Sequence, residues 1–283
     1  MGIARWSGDP RSLVIVRGDT GEPVSWAELV EAAAGAEAVL VGELHGHKVG
    51  QAFQEALWTD LLSAAPGAAA ALEFFERDQQ NALDDYLTGV TDHPAFLRAA
   101  RRNRGNYPPG HRAIVERSKA AGRPVIAANA PRRYVRLART DGFDRLEGLT
   151  PEQRRLFVIP RHLPEGRYRE EFMALMTSGG HGDAPDAAAV ERAEAMFRSQ
   201  ATWDWTMADS VARALSGGHR PVVLIVGAFH VEHRGGAVQA LDFLRPGTRT
   251  VTMTVVSDWS DTLAEGDRGR ADFVVFIGPD EAR

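Results

Sequence analysis

Four short apolar runs separated by long polar stretches constrain the fold of this chain more than any other feature of its sequence. The runs cover residues 38–42, 68–72, 124–129 and 221–227. Each has the length of one β-strand and lacks the alternation of polar and apolar residues that marks a strand with one face in water. Such runs are typical of strands buried on both faces, as in a parallel sheet covered by helices.

Helical patterns lie between these runs. Apolar residues recur at helical spacing after the first run, and residues 187–215 form a long helical pattern that begins after Asp186 and ends at Gly217. An alternation of strands and helices predicts an α/β fold with a mostly parallel central sheet flanked by helices. Two late β-rich runs, at residues 250–256 and 273–277, extend the predicted sheet.

We expect one α/β domain over residues 1–283. Its sheet core is predicted from three segments, and a helical cap over the carboxyl ends of the strands from two more. The predicted core segments are about 36–76, 122–132 and 220–280, and the cap segments are about 78–121 and 133–218.

Composition excludes several classes of protein. The chain has no cysteine, which excludes disulfides, thiolate catalysis and metal sites built on sulfur. Its formal net charge of -5 lacks the basic excess typical of a nucleic-acid binder. No stretch is long and apolar enough for a membrane span, and neither a signal peptide nor a lipobox is seen at the N-terminus. We therefore expect a cytoplasmic protein, or an exported one if a signal was removed.

Polar side chains follow each of the four predicted strands at the point where the strand ends. These residues are His45, Glu73, Asn129 and His230. Ligands of open parallel sheets bind beyond the carboxyl ends of the strands, so we expect these side chains to lie on one rim.

Two of these strands end in the same frame, Gly-x-x-His, at residues 42–45 and 227–230. Two imidazoles and the carboxylate of Glu73 are suitable ligands for a divalent transition metal such as Fe, Mn, Co or Zn. Glu73 or Glu43 is a possible general base, and Glu43 would orient a histidine. The alternative is that a histidine at a strand end only caps a helix or bonds the backbone.

Other polar residues extend the predicted site. Asn129 and Arg132 are suited to holding an anionic group, although Asn129 is equally suited to a turn. Gln200 and Asp204 share one face of the long helix, where they either line a pocket or join two helices.

A basic run at residues 98–104 precedes Tyr107. It is either a solvated helix end or a binding site for carboxylates such as the propionates of haem. Tyr107 and His162 are possible ligands of haem iron, since both residue types serve that role. The nucleotide-binding glycine fingerprint and the Gly-x-Ser-x-Gly elbow of serine hydrolases do not occur in the sequence.

Five motifs in a fixed order resemble those of the ChaN-like haem-binding uptake family of the Tiki superfamily, which also includes erythromycin-esterase-like proteins. The resemblance runs over about residues 24–244. The motifs are Val-Gly-Glu-Leu-His at 41–45 with Gln54, Leu-Glu-Phe-Phe at 72–75 with Gln79 and Leu83-Asp84, Ala-Ala-Asn-Ala-Pro-Arg at 127–132, Gln200 with Asp204 and Met207-Ala208, and Gly-Ala-Phe-His-Val at 227–231.

The resemblance implies a pocket at the strand ends and, in the ChaN branch, haem binding linked to iron acquisition. In the Tiki branch it implies a divalent-metal protease, and in the esterase-like branch hydrolysis at a similar His and Glu site. The sequence departs from the family at Gly50, where relatives often have a second histidine four residues before the equivalent of Gln54. His47 would replace it only in a rearranged loop.

Two functions follow as hypotheses. The first is a haem- or iron-binding protein with its pocket at the carboxyl edge of the sheet. The second is a metal-dependent hydrolase or other non-haem metalloenzyme that uses His45, Glu73 and His230 on a small-molecule or peptide substrate. A member that binds a partner without cofactor is a third possibility, and a homodimer is possible in each case.

Overall fold

Eight strands form one sheet in the computed structural model, which describes residues 8–103, 105–178 and 186–280. Across the sheet the strands lie in the order β2-β1-β8-β7-β3-β6-β4-β5. Their bounds are β1 Val14–Arg17, β2 Pro23–Val24, β3 Ala38–Glu43, β4 Ala69–Glu76, β5 Val125–Asn129, β6 Val222–Gly227, β7 Thr250–Val256 and β8 Phe273–Phe276.

The sheet is mostly parallel, which confirms the predicted fold class. The six strands from β8 to β5 all pair in parallel, and only β1 runs antiparallel to its neighbours β8 and β2. All four apolar runs and both late β-rich runs form strands of this sheet. β1 and β2 are not among the predicted strands, because strands of four and two residues leave too short a sequence pattern.

Helices cover both faces of the sheet. The α-helices are α1 Trp26–Gly35, α2 Lys48–Ala64, α3 Gln80–Leu87, α4 His93–Ala99, α5 Pro109–Ala120, α6 Arg132–Glu147, α7 Pro151–Arg154, α8 Arg167–Thr177, α9 Ala187–Ser216 and α10 Gly236–Leu244. In the described part of the chain, none of these helices combines the length and apolar character that a membrane crossing requires.

Alternate residues of the central strands enter two separate cores, as expected for strands buried on both faces. On one face Val39 and Val41 of β3 pack with α1, α2 and α5. On the other face Leu40 packs with α10 and with the carboxyl-terminal half of α9, where Trp205 is fully buried. Burial of this much apolar surface is the main favourable term in folding.

The helix α9 is a single unbroken element of 30 residues. The Asp186 side chain caps its first turn by accepting a hydrogen bond from the backbone of Ala189 at 2.6 Å, and Gly217 ends it. Its first half packs through Phe197 on Phe172 of α8, and its second half lies on the sheet. α9 therefore belongs partly to the flanking layer and not wholly to a cap.

Strand register brings the predicted site residues to one edge. In the parallel pairing of β3 with β6, Glu43 lies opposite Gly227. In the pairing of β4 with β6, Leu72 lies opposite Ile225. Three adjacent strands thus end side by side, and the residues that follow them meet beyond that edge.

Candidate functional site

A buried carboxylate holds the first of the two histidines. Glu43, the last residue of β3, is only 5% exposed. Its Oε1 lies 2.8 Å from Nδ1 of His45, and its Oε2 accepts hydrogen bonds from Gln54 Nε2 and His111 Nε2, both at 2.9 Å. Since an ionised carboxylate only accepts, His45 carries a proton on Nδ1. Its Nε2 is therefore available to a ligand or a proton.

The packing of α2 against α5 explains why two further side chains reach Glu43. Trp58 of α2 donates through Nε1 to Ser118 Oγ of α5 at 3.0 Å, and both residues are buried. This contact fixes the two helices side by side over the end of β3, so that Gln54 and His111 approach the same carboxylate oxygen. His111 was not identified from the sequence, because no motif or spacing distinguishes it.

Electrostatics keep Glu43 ionised. Burial alone would raise its pKa, but hydrogen bonds from His111 and His45 outweigh burial and hold the pKa well below its ordinary value. The hydrogen bond that His45 donates to Glu43 raises the pKa of His45, although partial burial opposes the rise. The His45 side chain is still 68% exposed, and its Nε2 forms no hydrogen bond with a described residue.

A second buried carboxylate holds the second histidine. Asp204 of α9 is fully buried, and its Oδ1 lies 2.5 Å from Nδ1 of His230. Tyr168 of α8 donates through its hydroxyl to the other oxygen, Oδ2, at 2.7 Å. Gln200 Nε2 lies 3.3 Å from Nδ1 of the same imidazole. The predicted Gln200 and Asp204 pair thus contacts His230 directly.

The charge of Asp204 acts on His230. Burial alone would lower the pKa of His230, but the nearby Asp204 carboxylate raises it above its ordinary value. His230 therefore holds a proton more firmly than a free histidine does.

Glu73 lies between the two histidines. Its Oε2 accepts a hydrogen bond from the backbone nitrogen of Gly227 at 2.7 Å, and its Oε1 lies 3.8 Å from His230 Nε2. A Cβ atom on Gly227 would lie 3.1 Å from His45 Nε2 and 3.6 Å from Glu73 Oε2. The glycine of the Gly-x-x-His frame thus leaves room for both side chains to approach the backbone of β6.

These strand ends open into a pocket of about 460 Å³, which we call the strand-end pocket. Five of the predicted site residues line it, together with aromatic, basic and acidic side chains from the surrounding segments. The predicted ones are Glu43, His45, Glu73, Asn129 and Arg132, and the others include Phe74, Glu76, Arg102 and His111. Asn129 also accepts a hydrogen bond from the backbone of Ala130, so it has the role of a turn residue as well.

Three predicted ligands lie outside the lining of this pocket: His230, which is buried beside Glu73, and also Tyr107 and His162. Tyr107 stacks on Phe74 with ring centroids 5.5 Å apart, and its buried hydroxyl has no hydrogen-bond partner among the described residues. His162 is exposed and packs against Trp205 and Phe243 with ring centroids 5.1 and 5.0 Å away. Arg102, from the basic run, lies over the Phe74 ring at 3.9 Å, whereas Arg104 lies outside the described residues.

His47 has a structural role and does not join the site. It caps α2 by accepting a hydrogen bond from the backbone of Gly50 at 3.2 Å, and its other ring nitrogen lies 3.0 Å from the carbonyl oxygen of Gly278. Both nitrogens are therefore engaged. Within residues 8–103, 105–178 and 186–280, no group of three or more His, Asp or Glu side chains is arranged to hold a metal ion.

These features define a class: an α/β protein whose adjacent parallel strands end in two histidines, each oriented by a buried carboxylate. A family model described as haem-binding uptake, Tiki superfamily, ChaN matches residues 29–241. The chain belongs to this family, as its motifs indicated. No curated protein matches the sequence.

A solved structure with the same fold is that of ChaN from Campylobacter jejuni, described as showing cofacial heme binding. It is 14% identical, with a TM-score of 0.70 over 93% of this chain and 96% of that one. A mutant of the erythromycin esterase EreC in its open conformation is 12% identical, with a TM-score of 0.49 over 95% and 84% of the two chains. The type III effector HopBA1 is 14% identical, with a TM-score of 0.45 over 97% and 100%.

Asp204 occupies the space that a side chain at residue 236 would need, so this position requires glycine. A Cβ atom there would lie 2.0 Å from Asp204 Oδ2. We expect Gly236→Ala to destabilise the protein by about 1–3 kcal/mol, because Asp204 would have to move away from Tyr168 and His230. Urea unfolding measures the change, with Gly35→Ala in α1 as the control, since a Cβ at Gly35 meets nothing. Equal stability of the two variants would contradict this account.

Glu43 makes stability depend on pH in the acid range. The unfolded chain protonates this carboxyl near its ordinary pKa of 4.5, and the folded protein does so only at lower pH. The ionised carboxylate therefore adds to the free energy of unfolding above the ordinary pKa of 4.5, and this stabilisation is lost as the pH falls below that value. We expect Glu43→Gln to reduce the fall of the urea midpoint between about pH 5 and about pH 4. Glu265→Gln, with a side chain 92% exposed, should follow the wild type; a similar slope for Glu43→Gln would argue against the role of Glu43.

Proposed function

We propose that the protein binds haem in the strand-end pocket, with His45 as the iron ligand. The main supporting observation is the imidazole of His45, which lines the pocket and is held by Glu43 through Nδ1, so that Nε2 is left for a ligand. Metal-ligating histidines commonly donate their other ring nitrogen to a carboxylate, which fixes the tautomer and strengthens the ligand. Family membership and the haem reported for ChaN of Campylobacter jejuni support the same conclusion.

The other lining residues suit a porphyrin. Phe74 offers an aromatic face, and Arg102 and Arg132 are cationic partners for propionate carboxylates. The volume of about 460 Å³ lies within the usual range for small-molecule sites. Glu73 and Glu76 place negative charge in the same pocket, so the propionates would lie toward the arginine side.

Tyr107 is less suited to the ligand role. Burial raises the pKa of its phenol well above the ordinary value, so the side chain is neutral at physiological pH. Ligation of ferric iron by tyrosine requires the phenolate, and Phe74 separates the Tyr107 ring from the strand-end pocket.

A haem titration followed by the Soret band tests this assignment. We expect the wild type to give a saturable Soret shift and His45→Ala to lose it, with partial recovery on addition of free imidazole. Tyr107→Phe and His162→Ala should bind like the wild type, because neither residue lines the pocket. Loss of the shift in either of these two variants, or its persistence in His45→Ala, would contradict the assignment.

A second candidate function is hydrolysis of an ester at the same strand ends. The observation that favours it is a second oriented imidazole, that of His230. Haem binding through His45 alone would not require this second imidazole. His230 is held by Asp204, and Asp204 is held by Tyr168, as in an oriented acid–base group. The described donors do not form a three-ligand metal group, so we propose steps only for the side chains.

In this hydrolytic alternative, His45 Nε2 takes a proton from water as the water oxygen attacks the ester carbonyl carbon. The bond to the alcohol oxygen then breaks, and protonated His230 supplies the proton that the leaving alkoxide needs. A proton returns from His45 to His230 through solvent, so that ester and water yield acid and alcohol. Binding of a divalent transition metal (Fe, Mn, Co or Zn) by His45, Glu73 and His230 stays a prediction from the sequence.

Hydrolysis of p-nitrophenyl acetate by the purified chain tests this alternative. We expect His45→Ala and His230→Ala each to lower kcat/KM by about 10²–10⁴, because general acid–base catalysis contributes that much. The double variant should lose little more than either single one, since the two histidines act as a unit. His162→Ala is the control, and elemental analysis of the same samples records any bound metal. Unchanged hydrolysis in both single variants would exclude this role.

A further inference from the structure

A second pocket of about 420 Å³ lies beside β5 at the edge of the sheet. We call it the basic groove. It shares no lining residue with the strand-end pocket. Its lining residues are Arg77, Gln80, Ile126, Ala127, Arg155, Leu156, Ser210, Arg213, Ala214, Gly217 and His219.

The groove lies along β5, an edge strand whose outer backbone groups are partly bonded by a side chain of the same chain. The side chain of Gln80 donates to the carbonyl oxygen of Val125 at 2.9 Å and accepts from the backbone nitrogen of Ala127 at 2.7 Å. These bonds replace those that a neighbouring strand would make. The polar backbone of β5 is thereby satisfied at these two positions, so they are not available to pair with an added strand.

Arg77 supplies an anchored cation to the groove. Its Nη2 donates to Asp209 Oδ2 at 2.7 Å and to the carbonyl oxygen of Thr206 at 2.8 Å, and its Nε donates to Ser210 Oγ at 3.1 Å. Only 10% of the side chain is exposed. The buried Nη1 has no hydrogen-bond partner among the described residues. A buried guanidinium nitrogen that lacks a hydrogen-bond acceptor costs free energy. A ligand oxygen that reached Nη1 would therefore be bound favourably.

The groove carries more positive than negative charge. Arg213 pairs through Nε with Asp209 Oδ2 at 2.7 Å, so two arginines share one carboxylate. Arg155 is exposed, and the carboxylate with which it interacts electrostatically is that of Glu152, outside the lining of the groove. None of the lining residues is acidic, in a chain whose formal net charge is -5. Three arginines line the groove, and the pairing of two of them with Asp209 leaves an excess of positive charge, which attracts anions.

Besides the arginines and the polar residues Gln80, Ser210 and His219, the lining includes four apolar side chains. Ile126 and Ala127 come from β5, Leu156 follows α7, and Ala214 comes from α9. A bare inorganic ion would leave these side chains in contact with water. An anion with an apolar group would bury them while its charge meets the arginines.

We propose that the basic groove binds a small amphipathic oxyanion, namely a carboxylate or phosphate monoester that carries an apolar group. Arg155 and Arg213 bind the oxygens from the exposed side, and Arg77 supports them from beneath. Ile126 and Leu156 contact the apolar group. The proposal does not depend on haem binding or hydrolysis at the strand-end pocket.

Calorimetric titration of the full chain with phenyl phosphate tests the proposal, with benzoate, inorganic phosphate and benzyl alcohol as comparison ligands. We expect saturable binding of phenyl phosphate or benzoate, at least tenfold weaker binding of inorganic phosphate, and no binding of the uncharged alcohol. The two aromatic anions distinguish the phosphate from the carboxylate as the preferred head group.

Matched variants locate the site. Arg155→Gln and Arg213→Gln should each weaken binding about tenfold, the loss that corresponds to about 1.4 kcal/mol. Arg268→Gln, which removes an exposed arginine beyond the groove, should bind like the wild type. Circular dichroism of each variant checks that the fold is retained. Absence of saturable binding by both aromatic anions, or equal affinity in the wild type and both groove variants, would overturn the proposal.

Discussion

The parallel pairing of β3 with β6, and of β6 with β4, is the constraint on which the rest of this structure depends. Parallel strands share their direction, so whatever follows each strand is delivered to the same edge. The register that places Glu43 opposite Gly227 brings two segments almost 200 residues apart into contact. Glu73 arrives from β4 on the other side of β6 and completes the arrangement.

Two buried carboxylates then decide what the histidines can do. Glu43 and Asp204 are each held by several donors, so neither is left as an unpaired buried charge. Each carboxylate fixes the orientation of one imidazole and raises its pKa. The two histidines nevertheless differ, because His45 is largely exposed and His230 is buried. An exposed oriented imidazole suits a ligand or a base, and a buried imidazole whose pKa a carboxylate raises against the effect of burial suits a proton donor.

This difference separates the proposed functions. Haem binding requires an exposed imidazole beside cationic and aromatic side chains, which the surroundings of His45 supply. Hydrolysis requires both histidines and Glu73 to act on one substrate. The basic groove lies apart from either arrangement, and its chemistry is that of arginine and apolar side chains without a histidine pair. A single fold thus presents two surfaces that differ in their side-chain chemistry.

The sequence by itself determined the parallel sheet, the long helix α9 and the convergence of His45, Glu73 and His230 at the strand ends. Continuous apolar runs and helical periodicity are local signals, and the rule for parallel strands converts them into a shared edge. Five sequence motifs in a fixed order, and not this periodicity, indicated membership of the ChaN family, which the family match confirms.

Only the tertiary structure decided which side chains surround those histidines. His111 joins Glu43 because α2 and α5 pack through Trp58, and no local pattern records a contact between two helices. His47 was close in sequence to the site, yet both its ring nitrogens are engaged elsewhere. Tyr107 lies behind Phe74 because aromatic packing, and not its position in the chain, sets where the hydroxyl lies. Contacts of this kind depend on the packing of distant segments, which short-range sequence patterns do not specify.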